Sequence, residues 1–429
     1  MPTSFQTQLS SAAEHQPRVG YLLSRYPAIS HTFFLKEVLG LRERGLGVEV
    51  ASINLPDRSR SDLPSIEGAE ADQTFYVKSA GIAALALQVL RIAFLHPRVA
   101  LRGLCAALRL GEWDLKSRAF ALFYLAEALL VGRWMRTRSL SHLHVHFGGP
   151  VATVGMLTAK AWQIPWSLTL HGPDEFFDQE VFYLRQKIDS ASFVVCISDF
   201  CRSQVLRIAS GLDDSRLEVV RLGVDCAALR PTEPSLAPSS TSSQSSPLRL
   251  VCTGRMVAAK GHRILLEALA RLASEGVDFT CTLIGDGPER PGLESFCTRL
   301  GVADHVRFLG SMAHQPTLSE VAKADVFVLA SFAEGLPVAL MEAMALGIPC
   351  VSTTIAAIPE LIEDQVNGRL VPPANPEAVY RALKQLANNA ELRSQLGQNG
   401  RATVENRYNL ASNLDLLAGM WRRRLHGKC

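Results

Sequence analysis

The chain alternates between apolar runs of strand length and amphipathic runs of helix length, and this alternation occurs in two separate series. Strand-length runs of the first series lie at residues 18–24, 48–54, 142–147, 167–171 and 193–197. The second series starts at residue 248 and continues to residue 370. Because parallel strands need a crossover, which is usually a helix, such alternation predicts doubly wound parallel sheets. Two series predict two Rossmann-like α/β domains.

The length of the chain and one change in composition support two domains. A chain of 429 residues is too long for one ordinary core. Between residues 231 and 247 the composition shifts to Pro and Ser, which predicts a linker. The predicted parts are a disordered tail at 1–17, an N-terminal domain at 18–230, a C-terminal domain at 248–405 and a C-terminal helix at 406–429.

Charge and cysteine usage narrow the class of protein. A net charge of +3 is too small to argue for nucleic-acid binding. The nine cysteines are scattered without a CxxC pair, which is typical of reduced thiols in a cytosolic protein. The first 17 residues lack the pattern of a signal peptide. The most apolar run, residues 79–95, is interrupted by Gln88 and Arg91, which predicts a buried or interfacial helix. We therefore expect a cytoplasmic protein.

Two acidic residues follow the apolar run at residues 324–330. Glu334 lies in a Gly- and Pro-containing turn, and Glu342 lies eight residues later on a predicted helix. At such a strand, loop and helix junction, backbone N–H groups and the helix N-terminus favour phosphorylated ligands. The carboxylates would accept hydrogen bonds from sugar or ribose hydroxyls. An isolated pair with this spacing is also compatible with two solvated surface residues.

Four segments together resemble a known family. Residues 331–349 resemble the E-x7-E donor-binding segment of the retaining group 1 glycosyltransferases, family 4. Residues 251–262 are similar to the G-R-x4-K-G signature of that family, and residues 283–288 and 306–310 are similar to its next two strand ends. The resemblance implies the GT-B fold, in which two Rossmann-like domains face a central cleft. It places the donor on the C-terminal side and the acceptor on the N-terminal side, with the last helix packing back on the N-terminal domain.

Transfer from a nucleoside diphosphate sugar requires positive charge at the departing diphosphate, from side chains or from a metal ion. No Asp-x-Asp motif or Cys/His cluster stands out, so we expect no metal and no cofactor. Arg255 and Lys260 are the matching cations, and the glycines beside them, Gly254 and Gly261, permit close backbone approach. Either cation alone could be an ordinary solvated residue.

The resemblance also assigns roles within the donor site. Glu342 would hold the ribose hydroxyls, and Glu334 would hold the transferred sugar. The backbone N–H groups of Gly335 and Leu336 would contact the diphosphate or the sugar. Gly310 would lie where the family packs the nucleotide base.

In the N-terminal domain, residues 168–174 resemble the strand-end T-x-H-G-x-D of the family. His171 could donate a hydrogen bond to the sugar or to developing charge. Asp174 could orient His171 or receive the proton of the acceptor hydroxyl. A lone histidine is more commonly structural, and three others alternate on an earlier strand: His142, His144 and His146. These three could imitate a metal site, although we do not expect one.

Two further features concern the acceptor. Residues 26–34 resemble the Y-P-x-x-S-E-T-F segment of the subset that builds exopolysaccharides such as colanic acid, but His31 replaces the usual Glu. A predicted helical insertion, residues 79–138, carries a basic segment at residues 91–138. This segment predicts either contact with an anionic membrane or a solvated basic face on the first domain.

The leading hypothesis is a retaining, metal-independent glycosyltransferase that acts in exopolysaccharide synthesis. It would move a hexosyl group from a nucleotide sugar to a glycan or polyprenyl-linked acceptor, as a cytoplasmic protein or on the inner face of the plasma membrane. Two alternatives remain open at this point. They are a nucleotide-sugar epimerase on the same fold and a catalytically inactive nucleotide- or glycan-binding protein.

Overall fold

The computed structural model describes residues 18–28, 32–79, 81–111, 114–231 and 247–426. The predicted tail, most of the predicted linker and His31 lie outside these ranges. The chain divides into two compact units, each with one parallel sheet. We name them by sequence position: the N-terminal unit comprises Met1–Ile197, Cys201–Val220 and Leu414–Cys429, and the C-terminal unit comprises Ser198–Phe200 and Arg221–Asn413.

Seven parallel strands form the sheet of the N-terminal unit, in the order β3-β2-β1-β4-β5-β6-β7. Their bounds are β1 Arg18–Arg25, β2 Gly47–Asn54, β3 Phe75–Tyr76, β4 His142–His146, β5 Trp166–Leu170, β6 Phe193–Cys196 and β7 Leu217–Val219. The chain order reverses direction between β1 and β4. Such a reversal marks the place where open α/β sheets bind ligands, beyond the carboxyl ends of the strands.

The helices that connect these strands are α1 Thr32–Glu43, α2 Ser65–Gln73, α3 Gly81–Leu95, α4 Pro97–Leu108, α5 Leu115–Thr137, α6 Pro150–Trp162, α7 Pro173–Phe177, α8 Leu184–Ser190 and α9 Asp199–Ile208. Local signals explain several of their ends. α6 begins with Pro150 in its first turn, where a missing N–H costs nothing, and Gln163 ends it in the left-handed conformation. The side chain of Asp114 caps α5 by accepting from the backbone N–H of Ser117.

Helices α3, α4 and α5 occupy the region of the predicted insertion. No single described helix is long and apolar enough to cross a membrane, although the pair Ala83–Leu95 and Pro97–Leu108 passes that test together with a bend of 115°. The prediction that residues 79–95 form a helix is confirmed by α3. Several of its large apolar side chains are exposed rather than buried, including Leu87, Leu90 and Phe94.

Six parallel strands form the sheet of the C-terminal unit, in the order β10-β9-β8-β11-β12-β13. Their bounds are β8 Leu248–Thr253, β9 Phe279–Ile284, β10 Val306–Gly310, β11 Val326–Leu329, β12 Cys350–Thr353 and β13 Arg369–Val371. The remaining helices of the chain are α10 His262–Ser274, α11 Arg290–Leu300, α12 His314–Val321, α13 Val338–Ala345, α14 Ile358–Leu361, α15 Pro376–Ala387, α16 Ala390–Arg407 and α17 Leu410–His426. In this sheet the reversal lies between β8 and β11.

Two boundaries differ in detail from the sequence prediction. The main segment of the C-terminal unit begins at Arg221, about ten residues before the predicted linker. Within this segment the backbone N–H of Val224 donates to the Tyr408 carbonyl at 2.9 Å. The end of the chain belongs to the N-terminal unit from Leu414 onward. There the indole of Trp421 on α17 is fully buried and donates to the Tyr21 hydroxyl on β1 at 3.2 Å.

Candidate functional site

The predicted donor residues lie beyond the carboxyl ends of β8 and β11, the two strands at the sheet reversal. Gly254 and Arg255 directly follow β8, and Glu334 follows β11 by five residues. A ligand placed at this edge therefore meets both loops at once.

Lys260 and Glu334 form a direct ion pair. The Lys260 ammonium lies 2.6 Å from Oε1 of Glu334, and the Ser331 hydroxyl donates to the same oxygen at 2.7 Å. The Glu334 side chain is 8% exposed and that of Lys260 is 25% exposed. No described donor reaches Oε2 of Glu334. The pair thus keeps one carboxylate oxygen that can accept a hydroxyl hydrogen bond, beside a cation that can bind a phosphate oxygen.

Glycine at position 261 allows the two loops to approach each other. Gly261 has a φ of +63°, and a β-carbon there would overlap the carbonyl oxygen of Ala330. The backbone N–H of Phe332 donates to the Ala259 carbonyl at 2.7 Å and joins the loops further. Since Lys260 precedes this glycine, the close approach of the loops positions its ammonium beside Glu334.

The strand-end loops of β8, β9 and β10 also pack backbone to backbone. The N–H of Gly254 donates to Ile284, and the N–H of Gly285 donates to Gly310, each at 2.9 Å. Gly254, Gly285 and Gly310 all have positive φ angles. A β-carbon at Gly285 would overlap the Gly254 carbonyl. These glycines leave room for close backbone approach along one edge of the sheet.

A proline precedes α13. Pro337 is the N-cap with an extended backbone, and α13 begins at Val338. The N–H groups of Gly335 and Leu336 precede this cap. Within the described residues neither N–H group has a hydrogen-bond partner. They are therefore donors near the positive end of the α13 dipole.

Glu342 lies on α13 and forms a second pair that the sequence did not predict. Nε2 of His314, at the start of α12, lies 2.6 Å from Oε1 of Glu342. The Glu342 side chain is 12% exposed. The structure thus assigns the two predicted acids different partners, a lysine for Glu334 and a histidine for Glu342.

Arg255 is exposed and forms no ion pair with the described residues. Its backbone carbonyl accepts from Val257 at 2.9 Å, which closes the loop after β8. An exposed guanidinium at this edge keeps its bidentate donors available for an anionic ligand.

His262 was missed by sequence reasoning, although it directly follows the K-G of the signature. It is buried at the start of α10, and its Nδ1 has no described hydrogen-bond partner. Burial, and secondarily the charge of Lys260, lowers the pKa of His262 to about 4. His262 is therefore neutral at neutral pH.

In the N-terminal unit, His171 follows β5 and is 6% exposed. The side chain of Asp174 lies outside the described part of the chain, although its backbone belongs to α7. The neighbouring Glu175 holds the loop, because its carboxylate accepts from the backbone N–H groups of Gly148, His171 and Gly172. Burial raises the pKa of Glu175.

The three alternating histidines of β4 do not converge on a metal position. His142 and His144 each hydrogen-bond the Ser167 hydroxyl at 2.8 Å, whereas Nδ1 of His146 bonds Nε2 of His171 at 3.0 Å. Among the described residues, no group of three His, Cys, Asp or Glu side chains could hold a metal ion. This face of the sheet is a network of buried histidines and hydroxyls.

Comparisons with known families agree with this fold. The family model described as "Glycosyltransferase Family 4" matches residues 79–228, and the model described as "Glycosyl transferases group 1" matches residues 247–389. The chain belongs to the group 1, family 4 glycosyltransferases, and it is a glycosyltransferase of GT-B fold. The predicted family and fold class are confirmed.

Relatives extend over most of the chain. The amylovoran biosynthesis glycosyltransferase AmsK of Erwinia amylovora is 26% identical over 91% of this chain and 96% of its own length. WcaL of Escherichia coli K12, named as a colanic acid biosynthesis glycosyltransferase, is 26% identical over 85% of this chain and 89% of its own length.

Solved structures share the fold at low sequence identity. HepE of Anabaena, crystallised with UDP, superposes with a TM-score of 0.69 at 18% identity, covering 94% of this chain and 99% of HepE. The sucrose-phosphate synthase of Thermosynechococcus elongatus superposes with a TM-score of 0.73 at 16% identity, covering 96% of this chain and all of that enzyme.

Proposed function

We propose that this glycosyltransferase moves a hexosyl group from a nucleoside diphosphate sugar with retention of configuration and without a metal ion. The acceptor would be a lipid-linked saccharide or an oligosaccharide in exopolysaccharide assembly. The observation that carries the proposal is the Lys260–Glu334 pair at the sheet reversal, beside the N–H groups of Gly335 and Leu336.

The proposed roles follow from the charges of these groups. Lys260 and the exposed Arg255 would stabilise the negative charge that develops on the departing diphosphate. Oε2 of Glu334 would accept from a hydroxyl of the transferred sugar, and Glu342 would accept from the ribose. His171 and Asp174 would serve the sugar and the acceptor on the N-terminal side. Gly254 and Gly310 would permit close approach of the diphosphate and the base.

Exopolysaccharide assembly is supported by the relatives AmsK and WcaL, which are named for amylovoran and colanic acid biosynthesis. UDP in the structure of HepE, which shares the fold, supports a nucleotide-sugar donor. The eight cysteines within the described residues are all free. Free thiols support the proposed cytoplasmic side of the membrane.

A panel of nucleotide sugars, incubated with the protein and a mixture of polyprenyl diphosphate-linked acceptors, tests the activity. We expect release of nucleoside diphosphate and a glycosylated product whose anomeric configuration matches that of the donor, with or without EDTA. An inverted product, or activity abolished by EDTA and restored by Mg²⁺ or Mn²⁺, would contradict the mechanism. Formation of an epimeric nucleotide sugar without acceptor would instead indicate the epimerase, and binding without turnover the inactive protein.

Helices α3 and α4 each present an exposed stripe that suits an anionic membrane. On α3, Leu87, Leu90, Arg91 and Phe94 are exposed at helical spacing on one face. On α4, an exposed stripe combines arginine with three leucines: Arg98, Leu101, Leu104 and Leu108. Apolar groups would enter the interface while arginines contact lipid phosphates. A purely solvated face would not need these apolar side chains.

Flotation with vesicles of phosphatidylglycerol and phosphatidylcholine tests this membrane contact. We expect co-flotation at 0.1 M salt, weakened by Leu90→Glu. The matched control is Leu416→Glu, because Leu416 on α17 is exposed to nearly the same extent, 65% against 67%. Absence of flotation, or an equal loss of flotation in both variants, would refute the membrane contact. A concentration-dependent dimer that Leu90→Glu disrupts would instead show that the exposed face of α3 contacts a second copy of the chain.

A further inference from the structure

Glu342 is joined to His314 beyond the carboxyl ends of the strands of the C-terminal unit. His314 begins α12, four residues after β10 ends, and Glu342 lies on α13, which follows β11. Nε2 of His314 is 2.6 Å from Oε1 of Glu342, a hydrogen-bond distance. The bond needs one proton between the two atoms, and it forms whichever group carries that proton. It therefore connects the loop after β10 to the helix after β11.

His314 is the only described group that holds the carboxyl group of Glu342. It reaches Oε1, and no described donor reaches Oε2. Glu334, in contrast, is held by two side chains, the Lys260 ammonium and the Ser331 hydroxyl. A glutamate side chain can otherwise rotate about three bonds, and ordering it when a ligand binds costs affinity. The orientation of Glu342 before binding therefore depends on one contact.

The start of α12 gives no local reason for a histidine. Its N-cap, Ala313, provides no side-chain hydrogen bond, and its first turn contains no acidic residue. The helix dipole favours acidic rather than basic groups in a first turn. The contact with Glu342 accounts for His314 better than these helix signals do. The side chains of His314 and Glu342 are 30% and 12% exposed, and partly exposed pairs stabilise a fold only weakly. A role in stability alone therefore explains the pair poorly.

The ribose of a nucleotide would present two neighbouring hydroxyl groups to this pair, at C2′ and C3′. Because His314 is bonded to Oε1, the oxygen of Glu342 that remains for a ribose hydroxyl is Oε2. A site whose acceptor is fixed in one orientation rejects an analogue that lacks the matching hydroxyl, because the acceptor is then left unpaired. A carboxyl group that rotates freely can turn to water instead and loses part of that discrimination.

We propose that His314 is a positioning residue that holds Glu342 in the orientation that binds the ribose. The pair thereby sets a preference for a ribonucleotide over its 2′-deoxy or 3′-deoxy form. This inference rests on the proposed role of Glu342 as the ribose acceptor. The orientation of the carboxyl group is a property of the protein without ligand and is measured separately.

The first test compares crystal structures of the unliganded protein and of two variants, His314→Asn and His314→Gln. The asparagine side chain is too short to reach Glu342, whereas the glutamine amide extends about as far as Nε2 of histidine. We expect one orientation of the Glu342 carboxyl group in the unaltered protein and in His314→Gln, and more than one in His314→Asn. A single, unchanged orientation in His314→Asn would overturn the proposal.

The second test measures the preference for ribose by titration calorimetry. Titrations with UDP, GDP and ADP identify the diphosphate that binds, and its 2′-deoxy and 3′-deoxy forms are then compared with it. We expect at least one deoxy form to bind about tenfold more weakly than the ribonucleotide, as for the loss of a hydrogen bond to a charged group. Glu342→Ala should abolish this preference.

His314→Asn should weaken binding of the ribonucleotide about fivefold, the cost of ordering one side chain on binding, and leave binding of the deoxy form unchanged. The preference should therefore fall from about tenfold to about twofold, and His314→Gln should retain it. In the Glu342→Ala background, His314→Asn should cause no further loss. An equal loss for both nucleotides would show that His314 acts only through the fold and would overturn the proposal.

His305→Asn is the matched control. His305 is a half-buried histidine that precedes β10, at the opposite edge of the sheet, and its Nδ1 bonds the Phe279 carbonyl. The same loss of preference in this variant would contradict a specific role for His314. If no diphosphate binds, or if Glu342→Ala leaves the preference unchanged, the proposed role of Glu342 fails and the ribose preference with it. The crystal structures still decide whether His314 orients Glu342.

Discussion

Both units place polar side chains near the reversal of their sheet. In the C-terminal unit these side chains lie on loops, whereas in the N-terminal unit they are buried within the strands. In the C-terminal unit, Lys260, Glu334 and Arg255 lie on loops beyond the strand ends, with part of their donors and acceptors unused. In the N-terminal unit, His144 and Ser167 lie within the strands and are bonded to protein partners. The first arrangement leaves capacity for a charged ligand, and the second uses its polar groups within the protein.

The largest expected effect comes from the cations of the C-terminal unit. Arg255→Ala and Lys260→Ala should each lower turnover about a hundredfold or more, as for loss of a transition-state donor. The measurement is the steady-state release of nucleoside diphosphate. Lys323→Ala is the control, because Lys323 is an exposed lysine paired with Glu320. Near-normal turnover in both variants would reject the assigned roles.

A buried hydroxyl in the N-terminal unit should matter for stability instead. Ser167→Ala leaves ring nitrogens of His142 and His144 without their shared partner, so we expect the free energy of unfolding to fall by about 2 kcal/mol. Urea denaturation measures this change. A large loss of turnover with unchanged stability would break the contrast between the two units.

The C-terminal unit contains one buried histidine, His262, which should make stability depend on pH. Its pKa of about 4 in the folded state is below the ordinary value of about 6.5, so the unfolded chain binds a proton that the folded chain does not. Stability is therefore lost as pH falls from about 6.5 to 4. Between pH 7 and 5 the loss from this group is about 2 kcal/mol.

His262→Gln should remove that part of the pH dependence. Urea denaturation of both proteins at pH 7 and pH 5 measures the difference. Parallel losses of stability in the two proteins would show that His262 titrates normally in the folded state.

The smallest expected effect concerns the second acid of the donor site. Glu342→Gln should raise the Kd of the nucleoside diphosphate about tenfold, because one charged acceptor for the ribose is lost. Titration calorimetry with the nucleotide identified by the donor panel measures it, and Glu320→Gln is the control. An unchanged Kd would remove Glu342 from the nucleotide site.

Local sequence patterns were sufficient to predict the elements that carry the proposed donor residues. The apolar run at residues 324–330 and the helix with Glu342 were predicted from composition and end signals, and β11 and α13 confirm them. Gly261 was predicted to permit close backbone approach. It has a positive φ, and a β-carbon at this position would overlap the Ala330 carbonyl oxygen, so only glycine fits. Such signals act within a few residues, which is why they can be read from one chain.

Side-chain partners could not be predicted in the same way. The pairing of Glu342 with His314 depends on how two helices follow neighbouring strands. His146 and Glu37 are more than a hundred residues apart in the sequence. The sequence also does not distinguish His146 from His142 and His144, which alternate with it on β4 but have different hydrogen-bond partners. The only feature of the sequence that could have indicated Glu37 is its position on α1, the helix that follows β1.

The sequence alone determined two parallel α/β units, most of their strands and the glycine-rich loops, because periodicity and turn chemistry are local properties; the short strand β3 was not predicted. The tertiary structure decided which polar side chains meet: Lys260 with Glu334, His314 with Glu342, and His146 with Glu37 and His171. Strand order and register bring such residues together, and both are set by long-range packing. For this reason the chemistry of single atoms, such as Oε2 of Glu334, which no described donor reaches, became visible only in the folded chain.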